Sequence, residues 1–430
     1  MCGEVISGIS KQGVVPMKKL LMICVILFTF IITGCQNNGE WYLNEIDYTE
    51  PTETYNWMAG ESPVSANRMG LIRAGVNHAD YTIAPNGVYF MYNTGSSTMS
   101  GMFISYVMYS DYGSDTVIKL CGRADCDHSD ADCNAYFENG CNICYHNGYL
   151  YATNSNGIEY DCVLYRLDVD GNNRVVLFDF TKFAKEQGTD FAMCDMIDNG
   201  ICYVTTYKWV EMENEDGLKS LQGEAVSTYL YKVDGSTKEP KLMEAECGPL
   251  YHCGNVFLAL MNGTQNGGFN GYDFSYGDWD ADTDTVTYLT DHPGIAGYYG
   301  EEEGYYFRNG AVCRLTYESK IEERIIETGL EGNYYAKCFP DCLVVASKET
   351  GADADKRLYV YNWNYELVET IDLSFLTGSV SAHQALMIET AERFILTNDS
   401  MSWIPRYYIE KDELGSGNVK IHTFSLPDFQ

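Results

Sequence analysis

Cys121, Cys126, His128 and Cys133 lie within one short stretch and bring together the side chains best suited to hold a soft metal ion. Three thiolates and an imidazole complete a tetrahedral zinc site of the structural kind, with no position left for substrate. The gap between Cys121 and Cys126 is looser than that of a zinc knuckle, and two other readings stand beside the metal. One is a disulfide using two of the three cysteines; the other is a reduced, packed cluster. In every case the group staples a loop rather than catalysing a reaction.

Other residues invite chemistry less directly. Cys141 and Cys144 form a C-x-x-C, the spacing of redox pairs, but they precede Asn147-Gly148 on an expected strand, where residues three apart point to opposite faces. Packed thiols are the better reading. Asp278, Asp280, Asp282 and Asp284 alternate as calcium ligands can in a loop, yet the glycine expected at the sixth loop position is missing, and a solvated hairpin competes. Just before them, Phe269, Tyr272, Phe274, Tyr276 and Trp279 sit among Gly and Asn, a composition able to stack sugar rings and equally able to form strand core plus loop. The chain carries no G-x-S-x-G, H-E-x-x-H, G-x-x-x-x-G-K or G-x-G-x-x-G, so catalytic residues stay unassigned. A carboxylate pair assembled in space would leave no sequence mark.

The elements that position these residues repeat. Asn86-Gly87, Asn147-Gly148 and Asn199-Gly200 each precede a short aromatic or branched run, the strongest local signal for a hairpin. Weaker copies stand at Gly254-Asn255, Glu303-Gly304, Pro340-Asp341 and Ala391-Glu392. Marks at residues 87, 148, 200, 254, 304, 341 and 392 are 37 to 61 residues apart, near the about 40–50 residues of a four-stranded propeller blade. A third strand recurs in Leu164–Asp168, Leu230–Asp234 and Leu358–Tyr361, and a fourth follows, as in Arg174–Phe178. The expected fold is all-β, a β-propeller over residues 67–430 with seven four-stranded blades, six or eight being the neighbouring counts. Two β-sandwiches are the competing architecture. No stretch longer than 181–187 invites a helix. The Cys121–Cys133 loop is expected between the fourth strand of the first blade and the first strand of the second.

The N-terminal part supplies an address. Lys18-Lys19, an apolar run from Leu20 to Ile32, and Thr33-Gly34 before Cys35 have the order of a bacterial lipoprotein signal, with Cys35 acylated and residues 1–34 removed. The run is shorter than the about 20 apolar residues that span a bilayer. Met17 is the expected true start. Residues 35–66, polar with Pro51 and Pro63, read as a flexible tether. The expected location is the extracytoplasmic face of the cell membrane.

The chain has 28 basic and 61 acidic side chains, a formal charge of −33; losing three lysines and one glutamate with the leader makes it −35. Such a surface repels phosphate backbones, so nucleic acid is not an expected partner. Of 16 cysteines, Cys2 and Cys24 leave with the leader and Cys35 takes lipid, leaving 13, an odd number that cannot pair completely within one chain.

Leu120-Cys121, Cys126-Asp127-His128 and Cys133-Asn134-Ala135-Tyr136-Phe137, after the lipobox and before the Asn-Gly hairpins, resemble a group of uncharacterised Gram-positive lipoproteins with propeller bodies, broadly similar to TolB-like propellers. The resemblance implies the fold and brings no activity with it. The functional expectation is a non-catalytic binding or scaffolding propeller whose partner is a glycan or an envelope protein. The alternative is a cell-surface, glycan-acting enzyme with carboxylates in the propeller funnel.

Overall fold

The computed structural model describes Tyr55 and residues 57–60, 81–97, 103–155, 161–198, 200–213, 219–245, 247–253, 256–265, 272–291, 297–299, 302–376, 380–398 and 404–427. These residues form seven antiparallel sheets in succession, over 81–138, 140–179, 191–242, 247–291, 297–327, 334–372 and 386–423. Within each sheet four strands pair in chain order, as a meander. Each sheet therefore needs only short turns, and apolar side chains on its two faces must be covered by the sheets beside it.

They are. Tyr89 and Val107 of the first sheet share a core with Leu150 and Leu167 of the second. Leu164 of the second packs with Val204 and Tyr231 of the third, and Ile201 and Leu230 of the third with Trp279 of the fourth. Leu289 of the fourth lies against the core that Tyr306 and Val312 of the fifth share with Tyr335 and Val345 of the sixth. Val344 and Leu358 of the sixth meet Phe394 and Ile409 of the seventh. Ile395 and Tyr408 of the seventh return to Phe90 and Met108 of the first. Backbone joins that last pair too: Val117 N–H donates to Ser425 O at 2.9 Å, and Ser425 N–H to Asp115 O at 2.7 Å. Consecutive meanders that share cores in a circuit make a β-propeller.

Burial follows from this arrangement. The second strand of the sixth sheet, Leu343–Ser347, is buried at every residue because both faces are covered, which is why its first four residues read as an unbroken apolar run. The fourth strand of the fifth sheet, Ile321–Glu327, lies at the rim and is mostly exposed.

Asn147 and Gly148, with φ of 48° and 83°, form the tight turn expected between the first two strands of the second sheet. At Asn86-Gly87 the two-residue connection is Pro85-Asn86, and Gly87 already pairs with Ala84. A Cβ on Gly87 would stand 2.3 Å from Ser110 O, so only glycine lets the third strand approach there. Glu303-Gly304 lies within a strand, not in a turn. The marks at Asn199 and Gly254-Asn255 lie outside the described residues. The helix Phe180–Glu186, capped by the Asp179 carboxylate on Lys182 N–H, falls on the stretch expected. A one-turn helix, Ala382–Ala385, carries a capping box from Ser381 and Gln384.

Tyr55 and residues 57–60 depart from the tether expected over residues 35–66. Trp57 is only 8% exposed; its indole N–H donates to Lys411 O at 2.9 Å, and Trp363 N–H donates to Ala59 O at 2.8 Å. A large apolar ring that finds a seam between sheets does not stay in a tether. The leader, Cys35 and the rest of the tether lie outside the described residues. Among the described residues no helix is long and apolar enough to cross a membrane.

Candidate functional site

The outer strand of the first sheet is broken in two. Ile118–Lys119 pairs with Tyr109 and Met108 of the third strand, and Tyr136–Glu138 resumes pairing with the same strand at Tyr106 to Ile104. The Cys/His segment is the bulge between these half-strands. It therefore interrupts the first sheet's outer edge instead of linking the first sheet to the second, a correction to its expected place. Residues re-pairing after Cys133 could not be told from a loop in sequence because the second half-strand is three residues long.

Two turns deliver the cysteines: Cys126 N–H donates to Arg123 O, and Cys133 N–H to Asp130 O at 3.0 Å. His128 takes a left-handed φ of 60°, and its carbonyl accepts from the Tyr106 hydroxyl at 2.8 Å, which aims the ring inward. The three sulfurs and an imidazole nitrogen all lie within 4.8 Å of one another, with His128 Nδ1 3.3 Å from Cys133 Sγ. Cys133 is buried, the other three partly so. Cys121, Cys126 and Cys133 are free thiols.

The surroundings act differently on the individual ligands. Burial opposes ionisation of Cys121, but the Arg123 and Asn134 backbone N–H groups and the neighbouring sulfhydryls outweigh it and hold its pKa below the ordinary thiol value. Burial pushes Cys133 up to about 12, against the pull of the Ala135 N–H. Burial and the charge of Lys119 keep His128 below its usual range, hence neutral and able to ligate.

The bulge is docked on the second sheet. Arg174 there donates to Tyr136 O and Ala131 O, each at 2.5 Å, and stacks over Phe137 at 5.2 Å. Asn134 Nδ2 donates to Gly171 O at 2.9 Å. A single arginine thus ties the C-terminal end of the bulge to a neighbouring turn.

The remaining sites fare differently. Cys141 lies against the Thr153 hydroxyl at 3.3 Å, while Cys144 is in the core between the second and third sheets, so the C-x-x-C is two packed thiols. The four aspartates do not converge, and the calcium reading gives way to a hairpin. Asp280 accepts from Asp282 N–H and Thr283 N–H, Asp282 pairs with Lys232, and Asp284 accepts from Trp279 Nε1 and Glu244 N–H. Among the described residues the only convergent metal-ligating group is Cys121, Cys126, His128 and Cys133. Trp279 is fully buried against Tyr203, so it offers no face to a sugar, which corrects its placement in a binding surface. Phe269 lies outside the described residues, as do the side chains of Tyr272, Phe274 and Tyr276.

A second chemical cluster had no sequence signal. Lys411 is completely buried and pairs with both Asp341 and Glu389. Burial raises Glu389 to about 8 despite the lysine's charge, while the two carboxylates hold Lys411 above its ordinary value against the opposing effect of its own burial. The three come from positions 341, 389 and 411, two of them in turns, and only the packing of the sixth sheet on the seventh unites them.

No protein-family profile and no curated protein matches the sequence. Solved propellers do resemble the structure. The β-propeller domain of the Trilobed protease from Pyrococcus furiosus is 10% identical with a TM-score of 0.37, covering 66% of this chain and 78% of that one. TolB from Acinetobacter baumannii is 12% identical with a TM-score of 0.33, covering 65% and 62%. The acylaminoacyl peptidase of Pyrococcus horikoshii is 11% identical with a TM-score of 0.37, covering 68% and 45%. The fold class is that of a β-propeller, and it rests on the sheet order and shared cores above.

Proposed function

We propose that this chain is a lipid-anchored, extracytoplasmic, seven-bladed propeller that binds or scaffolds an envelope partner without catalysing a reaction. The observation that carries the reading is the docked segment at Tyr55 and Trp57. It grips the turn that joins third to fourth strand in the sixth sheet, through Trp363, and the turns that join first to second and third to fourth strands in the seventh, through Ala391 and Lys411. A chain anchored at Cys35 would reach this point after about 20 residues, about 70 Å at full extension. A strongly acidic body favours a neutral or cationic partner, a glycan or an envelope protein, over nucleic acid.

Membrane fractionation with intact-mass analysis tests the reading. Wild-type chain is expected in the membrane fraction, beginning at an acylated Cys35, and Cys35→Ala in the soluble fraction or unprocessed. An unmodified N-terminus ahead of Cys35 would overturn the anchor, and turnover of a polysaccharide by the wild-type protein would overturn the non-catalytic role.

A further inference from the structure

We propose that Cys121, Cys126, His128 and Cys133 hold one structural zinc ion, and that this ion fixes the fold of the bulge in the outer edge of the first sheet.

The size of the cluster fits. Metal–sulfur bonds of about 2.3 Å and metal–nitrogen bonds of about 2.0 Å in a tetrahedron place ligand atoms about 3.5–3.8 Å apart. The four ligand atoms here already lie within 4.8 Å of one another, and His128 Nδ1 and Cys133 Sγ are 3.3 Å apart. Closing on an ion needs side-chain adjustments of well under a bond length. The donor set selects the metal: three soft sulfurs and an imidazole suit zinc, while magnesium and calcium demand oxygen.

The charge also balances. Three thiolates, a neutral imidazole and Zn²⁺ leave one net negative charge, and two cations stand beside it. Arg174 interacts electrostatically with Cys121 and Cys133, and Lys119 acts on His128. Backbone N–H groups of Arg123, Asn134 and Ala135 point at sulfur, the outer support that thiolate ligands need.

The bulge has a need for such a link. Most residues from Gly122 to Asp132 are exposed and bury little apolar surface, so the segment cannot be held by a core of its own. All four ligands come from the bulge itself, with no water or carboxylate position, which marks the site as structural. Binding releases the protons of the thiols and joins four Zn–ligand bonds, with no oxidant or reductant required.

The test is metal analysis of full-length protein extracted from membranes under anaerobic conditions, followed by exchange with Co²⁺. About one zinc per chain, and the intense charge-transfer and d–d absorption of tetrahedral thiolate-bound cobalt, are expected. Cys126→Ser should lower bound zinc at least tenfold. His128→Cys keeps four soft ligands, so it should retain about one zinc with an altered cobalt spectrum, which separates loss of a ligand from loss of fold. A chain free of zinc whose three thiols are reduced, cobalt without the tetrahedral spectrum, or a disulfide between any two of the three would each overturn the proposal. So would a Cys126→Ser protein that still holds about one zinc. None of these results depends on where the protein is anchored.

Discussion

The seam between the first and second sheets and the seam between the sixth and seventh face the same demand with different means. At the first, the outer strand stops at Lys119 and an exposed bulge takes its place, docked by the Arg174 guanidinium and carrying the Cys/His cluster proposed to hold zinc. At the second, Lys411 pairs with Glu389 and Asp341 beside an apolar core that includes Phe339 and Leu414, and the indole of Trp57 donates to the Lys411 carbonyl. A bulge that buries little surface depends on a few strong local links, whereas a wide seam can take up charge provided each charge is paired. The first seam should therefore fail locally, by release of its loop, and the second globally, by separation of two sheets.

The sharpest way to break this contrast is Lys411→Met. It leaves two carboxylates in a site with no ammonium to oppose them, and losing one partner of a buried pair costs about 3–5 kcal/mol. Urea unfolding should show a loss of that size, and the triple variant Lys411→Met, Glu389→Gln, Asp341→Asn should recover most of it. A single variant within about 1 kcal/mol of wild type would place this seam's strength elsewhere.

A smaller effect is expected from Trp57→Ala. The ring stacks on Tyr55 at 5.8 Å between centroids and covers the Lys411 carbonyl. Removing a buried tryptophan costs about 3 kcal/mol. Hydrogen exchange should quicken in residues 339–342 and 411–414 and stay unchanged in 121–136. Equal quickening in both segments would mean that the two seams are not independent.

The two seams also differ in how far the sequence discloses them. Cys121 to Cys133 are neighbours in the chain, so spacing alone groups them, and the aim of His128 is the only part that needed a fold. Asn147-Gly148 is legible for the same reason, since a tight turn depends on its own two residues. The Lys411 cluster joins three distant positions, none of which departs from an ordinary turn or strand residue. Trp279 shows a third situation. Polar and aromatic residues alternate around it as they would on a surface, but in a sheet covered on both faces alternation does not separate inside from outside. Trp57 lay in a polar, proline-containing stretch, and its docking depends on a seam more than 300 residues away in the chain.

The finest probe of the comparison is pH, because of these two seams it is the sixth-to-seventh that carries a buried carboxyl with its pKa raised. Burial lifts the Glu389 carboxyl to about 8 in the folded protein, while an unfolded glutamate titrates at about 4.3. Between these values the folded chain keeps a proton that the unfolded chain has released, so stability must fall as pH rises through the window, by up to about 1.4 kcal/mol per pH unit. Buried His383 works in the opposite sense: burial and the nearby Lys337 hold its pKa well down, so its contribution grows as pH rises through the ordinary histidine range. The difference between wild type and Glu389→Gln removes that background. Glu389→Gln is expected to gain on wild type steadily from pH 5.5 to 7.5 in thermal unfolding. A constant difference over that range would mean that Glu389 is already ionised against Lys411, and the seam would then be held by a full ion triad.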